Sequence, residues 1–137
     1  MSTGYILDDI TMHELGRGDL TVANVVAALD EHAIRMSVPA LALAVAHHGL
    51  GGAQIDTIHG MIHRLPQVRL EPLATPEDVL RLSAVSTYLA ERPDLAAAHI
   101  VATARHFDEP ILTVAVERWT PVQDLLPWML DLVEISE

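Results

Sequence analysis

The sequence predicts an α/β domain built on a mostly parallel sheet of about five strands. Short apolar runs of strand length alternate along the chain with segments that carry apolar residues at helical spacing. This alternation is typical of a parallel sheet flanked by helices. The 137 residues contain no internal repeat, low-complexity tract or linker, and this length suits one buried core, so we predict a single domain over residues 1–137.

Five segments have the composition of strands. The first is a short apolar run, and the third alternates apolar and polar side chains. In chain order the predicted strands are residues 5–7, 34–38, 68–73, 111–114 and 132–135.

Helices are predicted between these strands. Apolar residues recur at helical spacing from Val22, and Pro39 suits the first turn of a helix. Thr75 followed by Pro76 and two acids is a strong helix start, and Asp94 caps a segment so rich in alanine that we expect it to be a buried central helix. The predicted helices are residues 22–29, 39–48, 53–64, 76–89 and 95–105, and a short helix that opens at Pro121.

Charge and composition limit the function classes. The net charge is −11, and the eight basic residues are scattered arginines, so the chain lacks the basic face of a general nucleic-acid binder. RNA is then expected only if a divalent metal bridges carboxylates to phosphate. No apolar run is long enough to span a bilayer, the first residues do not resemble a secretory signal, and cysteine is absent. We therefore expect a cytoplasmic protein without a membrane segment.

Two acids stand at positions where parallel α/β sheets place their sites. Asp8 closes the first predicted strand, and Asp94 opens the predicted buried helix. If the first strand is central, both carboxylates meet at the carboxyl edge of the sheet. Paired carboxylates bind Mg²⁺ or Mn²⁺, and a metal-bound water can attack phosphate. Each acid also has a structural interpretation, since Asp94 is a good N-cap and Asp8 suits a turn.

The order of these features resembles the PIN domains of VapC-type toxins along nearly the whole chain. Residues 5–8 resemble the opening strand and first acid of that family, and residues 38–44 resemble its second strand running into a helix. Residues 94–99 resemble its acid-led helix. Residues 111–113, followed by residues 117–119, resemble its late strand and the downstream Glu-Arg-aromatic stretch.

The resemblance implies a three-layer fold and metal-dependent hydrolysis of RNA phosphodiesters. Asp8 and Asp94 would then be the catalytic and metal-binding residues for Mg²⁺ or Mn²⁺, with Asp9, Glu117 and His99 as possible helpers. Strand alternation, however, would send the Asp9 side chain to the opposite side from Asp8. The resemblance also implies an antitoxin or other protein partner and a homodimer.

Several acids of the family pattern are replaced here. Val45 stands where the second acid is expected, Ala97 replaces a frequent extra acid, and Val114 or Ala115 replaces the acid after the late strand. Fewer carboxylates would bind Mg²⁺ more weakly and orient water less firmly. The sequence therefore predicts a PIN-like domain with weakened or lost catalysis and a protein-interaction or regulatory role. The alternative is an active Mg²⁺- or Mn²⁺-dependent ribonuclease.

Histidines suggest a second alternative, a histidine-based metal-binding module. Asp56, His59 and His63 follow one another at i, i+3 and i+7 and share one helical face. The two histidines have the spacing with which imidazoles share a transition metal, but nothing else in the motif supports a zinc enzyme, and the pattern favours an ordinary solvated polar face. His99 is either a hydrogen-bonded core histidine or a neighbour of the acidic cleft.

Overall fold

The computed structural model, which describes residues 4–136, has a five-stranded sheet at its centre. Its strands are β1 (Tyr5–Leu7), β2 (Met36–Pro39), β3 (Val68–Glu71), β4 (Ile111–Thr113) and β5 (Leu132–Glu134). They lie in the order β3-β2-β1-β4-β5, and every neighbouring pair is parallel. The predicted α/β class is confirmed, and the sheet is parallel throughout.

Seven α-helices flank the sheet in the part of the chain that the structure describes. They are α1 (Asp9–Gly16), α2 (Leu20–Glu31), α3 (Ala40–Ala46), α4 (Gly52–Arg64), α5 (Pro76–Tyr88), α6 (Leu95–Phe107) and α7 (Thr120–Leu125). A short 3-10 helix (Val116–Trp119) precedes α7. None of the helices within residues 4–136 is long and apolar enough to cross a membrane.

Two hydrophobic cores cover the two faces of the sheet. Ile6 and Ile111 pack with α5, α6 and α7, whereas Leu7 and Leu112 pack with α1, α2 and α4. Successive residues of a strand point to opposite faces, so the adjacent residues Ile6 and Leu7 enter different cores. The result is a helix-sheet-helix arrangement in three layers, consistent with a PIN-like fold.

The alanine-rich helix α6 is buried as the sequence predicts. Residues 96–103 are all buried, and the helix contacts α3, α5 and the three central strands. Small side chains allow this close packing on several sides. Asp94 begins the helix by accepting a hydrogen bond from the Ala97 amide at 2.9 Å.

The helix α1 was not predicted, because the sequence indicated only polar residues after the first strand. It starts immediately after β1, with Asp8 as its N-cap. The Asp8 carboxylate accepts a hydrogen bond from the Thr11 amide at 2.9 Å, which satisfies one of the amides left without a partner in a first helical turn. The chain thus turns from strand into helix at the residue where a metal ligand was expected.

The central position of β1 determines where a site can form. β1 pairs with β2 on one side and with β4 on the other, so the chain winds outward from β1 in both directions. In sheets of this kind a crevice opens outside the carboxyl ends of the strands where the winding direction changes. Asp8 and Asp9 follow β1 at that edge, and Thr113 ends β4 beside them.

Candidate functional site

Asp8 is fully buried at the carboxyl end of β1, and both of its oxygens accept hydrogen bonds. Oδ1 accepts from the Thr11 amide and Oδ2 accepts from the Trp119 indole Nε1, each at 2.9 Å. Burial raises the pKa of Asp8 above its ordinary value, although hydrogen bonds from Thr11, Thr113 and Trp119 oppose that rise. The side chain is therefore a helix cap and a buried acceptor.

Asp9 lies at the same edge as Asp8 and is also buried, with 4% of its surface exposed. The expectation that strand alternation separates the two side chains is wrong here, because Asp9 already belongs to α1 and the strand geometry ends at Leu7. Its carboxylate receives two hydrogen bonds from Arg118, from Nε at 3.2 Å and from Nη2 at 3.0 Å. Such a two-point contact is the preferred geometry between arginine and a carboxylate.

Asp94 joins the same arginine from the other side. Its Oδ1 caps α6, and its Oδ2 accepts a hydrogen bond from Arg118 Nη1 at 2.8 Å. Burial alone would raise the pKa of Asp94, but the Arg118 guanidinium and the Ala97 amide together lower it below its ordinary value. The cap role and the ion-pair role are thus carried by different oxygens of one carboxylate.

We call this three-residue arrangement of Asp9, Arg118 and Asp94 the Arg118 bridge. Burial works to lower the pKa of Arg118, but hydrogen bonds and charge from Asp94 and Asp9 raise it above its ordinary value. The guanidinium also lies 4.8 Å from the centre of the Trp119 ring. A permanent positive charge therefore stands between two acids of the candidate site.

The three carboxylates have partners other than a metal ion in this arrangement. Mg²⁺ requires near-octahedral oxygen ligands, and Asp9 and Asp94 could supply them only by giving up Arg118, while each Asp8 oxygen already accepts one hydrogen bond. Within residues 4–136, no group of three or more histidine, cysteine or acidic side chains is placed to hold a metal ion. Asp8 and Asp94 therefore lie at the same edge of the sheet, where both cap helices and Asp94 also pairs with Arg118.

The possible helper residues have different surroundings. Glu117 is exposed on the 3-10 helix, while Arg118 and Trp119, the next two residues, contact the acidic edge. His99 is buried in α6, and its Nδ1 accepts a hydrogen bond from the Leu41 amide at 3.3 Å. Burial lowers the pKa of His99, so this ring connects α6 to α3 as a neutral side chain.

The three residues of the predicted histidine site, Asp56, His59 and His63, have different surroundings in the structure. Asp56 and His63 are exposed on α4, whereas His59 is half-buried. The ring of His59 contacts that of His47, at the end of α3, and their Nε2 atoms are 3.0 Å apart. The spacing within α4 suggested a partner on the same helix, but the contact is made across the turn to the preceding helix.

Sequence reasoning missed the parts played by Arg118 and Trp119. Both were noted only as members of the stretch 117–119 that resembles a family motif. A search confined to carboxylates finds the negative half of an ion pair and overlooks the cation that completes it. An arginine next to a tryptophan, shortly after a central strand, is the signal that could have indicated them.

Replacing Asp94 with asparagine separates its two roles. Asparagine caps helices about as well as aspartate, so Asp94→Asn removes mainly the charge that faces Arg118. We expect the variant to lose about 1 kcal/mol of unfolding free energy at pH 7, measured by urea unfolding. Because the pKa of Asp94 is lower in the folded chain than its ordinary 3.8, this contribution is present above that value and disappears as the pH falls through the folded pKa. An equal loss at pH 7 and pH 3 would contradict the ion-pair role.

Comparisons with known proteins identify no relative of this chain, so its function is inferred from the geometry of the candidate site. A scan against models of known protein families matches none of them, and a search of curated proteins finds no significantly similar sequence. The PIN resemblance therefore stays a prediction.

Proposed function

We propose that this chain is a PIN-like domain in which catalysis is weakened or lost and which acts by binding another protein. The Arg118 bridge is the observation that supports this proposal. Its guanidinium donates to Asp9 and to Asp94 over distances of 2.8–3.2 Å, in the place where a PIN-like nuclease would need divalent metal. The positive charge that the acids require is thus supplied by the chain itself.

An arginine and a metal ion differ in what they can do at such a site. Both neutralise carboxylates, but a metal ion also binds water, lowers its pKa and presents it to phosphate. A guanidinium has no acceptor and stays protonated, so it supplies no nucleophile. The bridge therefore stabilises the acidic edge without supplying the activated water that hydrolysis of a phosphodiester needs.

The surface beside the bridge favours a protein partner. A cleft of about 250 Å³ opens there, and its lining is partly charged (Arg92, Asp94 and Arg118) and partly apolar (Pro93, Pro121, Val122 and Leu125). Mixed apolar and charged lining suits a peptide segment, whereas the net charge of −11 disfavours a phosphate backbone. We include in the proposal an antitoxin or other protein partner, a homodimer and a cytoplasmic location.

An active ribonuclease is the second candidate. In its favour, the carboxylates of Asp8, Asp9 and Asp94 do gather at one edge of the sheet, where the PIN resemblance places a metal site. Catalysis would require Arg118 to leave its two partners when metal and RNA bind. The two candidates therefore differ in whether Arg118 excludes the metal or is displaced by it.

Metal titration distinguishes the two candidates. With millimolar Mn²⁺ or Mg²⁺ we expect no change in the melting temperature of the wild type and no cleavage of a mixed RNA substrate. Arg118→Gln leaves the two carboxylates without their cation, so we expect Mn²⁺ to raise the melting temperature of that variant. Arg17→Gln is the matched control, because Arg17 is exposed and pairs only loosely with Glu14 at 3.5 Å.

RNA cleavage by the wild type would support the second candidate if Asp8→Asn and Asp94→Asn both abolish it. For the binding role, Leu125→Asp places a charge in the apolar side of the cleft. We expect it to weaken binding of the protein encoded next to this chain's gene, measured by calorimetry. Unchanged binding would show that the cleft is not the binding surface.

A further inference from the structure

His47 and His59 face each other across the turn between α3 and α4, on elements that take no part in the Arg118 bridge. Their Nε2 atoms are 3.0 Å apart, their ring centroids are 5.0 Å apart and the ring planes differ by 27°. Because the centroids are much farther apart than the nitrogens, the two Nε2 atoms point towards each other across the gap. Both rings are half-buried, so solvent reaches the pair.

The backbone fixes the positions of both rings. His47 is the C-cap of α3, and Gly49 adopts a φ of 77°, a left-handed conformation that suits glycine and reverses the chain. α4 then begins at Gly52 and brings His59 back beside the end of α3. His13 on α1 donates from Nδ1 to the carbonyl of Ala46 at 2.9 Å, which holds the last turn of α3 in place.

Two facing imidazole nitrogens have the arrangement that a metal ion needs. At 3.0 Å the two Nε2 atoms share a hydrogen bond in which one of them donates; when both rings instead carry their proton on Nδ1, two lone pairs face the gap and can bind a metal ion. Zinc binds imidazole nitrogen at about 2.0–2.1 Å, so two such ligands of a tetrahedral ion lie roughly 3.3–3.4 Å apart. The pair therefore needs to open by only a few tenths of an ångström. Burial, His59 and His48 all lower the pKa of His47, which favours the neutral form that binds metal.

We propose that His47 and His59 together bind one divalent ion of the late first transition row, with Zn²⁺ as the first candidate, through their Nε2 atoms. Imidazole nitrogen prefers Zn²⁺, Ni²⁺ and Cu²⁺ to Mg²⁺. No cluster of three or more ligating side chains occurs within residues 4–136, so water completes the coordination. The ion would join α3 to α4, and this site is independent of the function proposed for the acidic edge.

Zinc titration of the full chain tests the proposal. We expect the chelator-treated wild type to bind one equivalent of Zn²⁺ by calorimetry and to melt at a higher temperature when zinc is present. His47→Gln and His59→Gln should each weaken binding roughly ten-fold or more. His63→Gln is the matched control, because His63 lies one turn after His59 on the same helix and is exposed.

A second measurement on the wild type does not depend on any variant folding. In NMR spectra of the histidine rings, Zn²⁺ should shift the signals of His47 and His59 together and leave those of His63 in place. The proposal is wrong if zinc does not bind, or if His47→Gln binds zinc as well as the wild type does. Loss of binding in His63→Gln with no loss in His47→Gln would place the ion on α4 alone and would equally overturn it.

Discussion

Replacing Arg118 with methionine is expected to cost about 3–5 kcal/mol of unfolding free energy at neutral pH. Methionine fills much of the same space, but it leaves the Asp9 carboxylate, which is 4% exposed, without its cation. A buried charge that loses its partner keeps its full desolvation cost. Urea unfolding followed by circular dichroism measures the loss.

Two further variants show whether the charge is the cause. The double variant Arg118→Met, Asp9→Asn removes both sides of the pair, so it should recover part of the stability that Arg118→Met loses. Arg118→Lys keeps the charge but cannot make the two-point contact with Asp9, and we expect an intermediate loss. If Arg118→Met costs less than about 1 kcal/mol, the bridge behaves as an ordinary surface ion pair and its structural role is refuted.

Trp119→Ala is expected to destabilise the fold by a similar amount, about 3–5 kcal/mol. The Trp119 side chain is completely buried and belongs to the core that α5, α6 and α7 form on one face of the sheet. Alanine leaves a cavity of nearly the whole indole ring, and it also removes the hydrogen bond from Nε1 to the Asp8 carboxylate. Chemical unfolding at neutral pH measures the sum of both effects.

Phenylalanine at the same position separates packing from hydrogen bonding. Trp119→Phe keeps an aromatic ring but leaves one Asp8 oxygen without its donor, so we expect a loss of about 1–3 kcal/mol. Burial already raises the pKa of Asp8, and losing this donor raises it further. A group with a raised folded pKa costs stability at neutral pH, so the loss in Trp119→Phe should shrink on acidification, as Asp8 takes up its proton.

Trp128→Phe is a matched control for the indole hydrogen bond. The Trp128 Nε1 is buried without a hydrogen-bond partner among the described residues, so removing that nitrogen should cost little. Equal losses in Trp119→Phe and Trp128→Phe would show that the contact with Asp8 contributes nothing specific.

The strands and most helices could be predicted from the sequence because their signals are local. Thr75 and Pro76 mark the start of α5, and the alanine-rich α6 begins after Asp94 as its composition indicates. The helix α1 has no such signal, since polar and apolar residues are mixed over Asp9–Gly16. Its stability comes from the Asp8 cap and from contacts with α3 and α4, which a local pattern does not reveal.

Of the candidate site, the acids could be predicted from the sequence but their pairing with Arg118 could not. The sequence placed Asp8 and Asp94 at one edge of the sheet, because the order of strands and helices determines where strand ends meet. The Arg118 bridge depends on the path of the chain after β4. Arg118 is 109 residues from Asp9 and 24 residues from Asp94, and no periodicity or capping motif links positions so far apart.

The central place of β1 has a consequence for the way the chain acquires its structure during synthesis. β1 leaves the ribosome first, but its neighbour β4 pairs with it through Ile6 and Ile111, after more than a hundred further residues have been made. Contacts between such distant residues form slowly, because a long loop must close before they stabilise anything. Until then the apolar β1 has an unpaired edge, which is a hazard for aggregation in the nascent chain. We therefore expect the acidic edge of the sheet to be completed among the last parts of the fold.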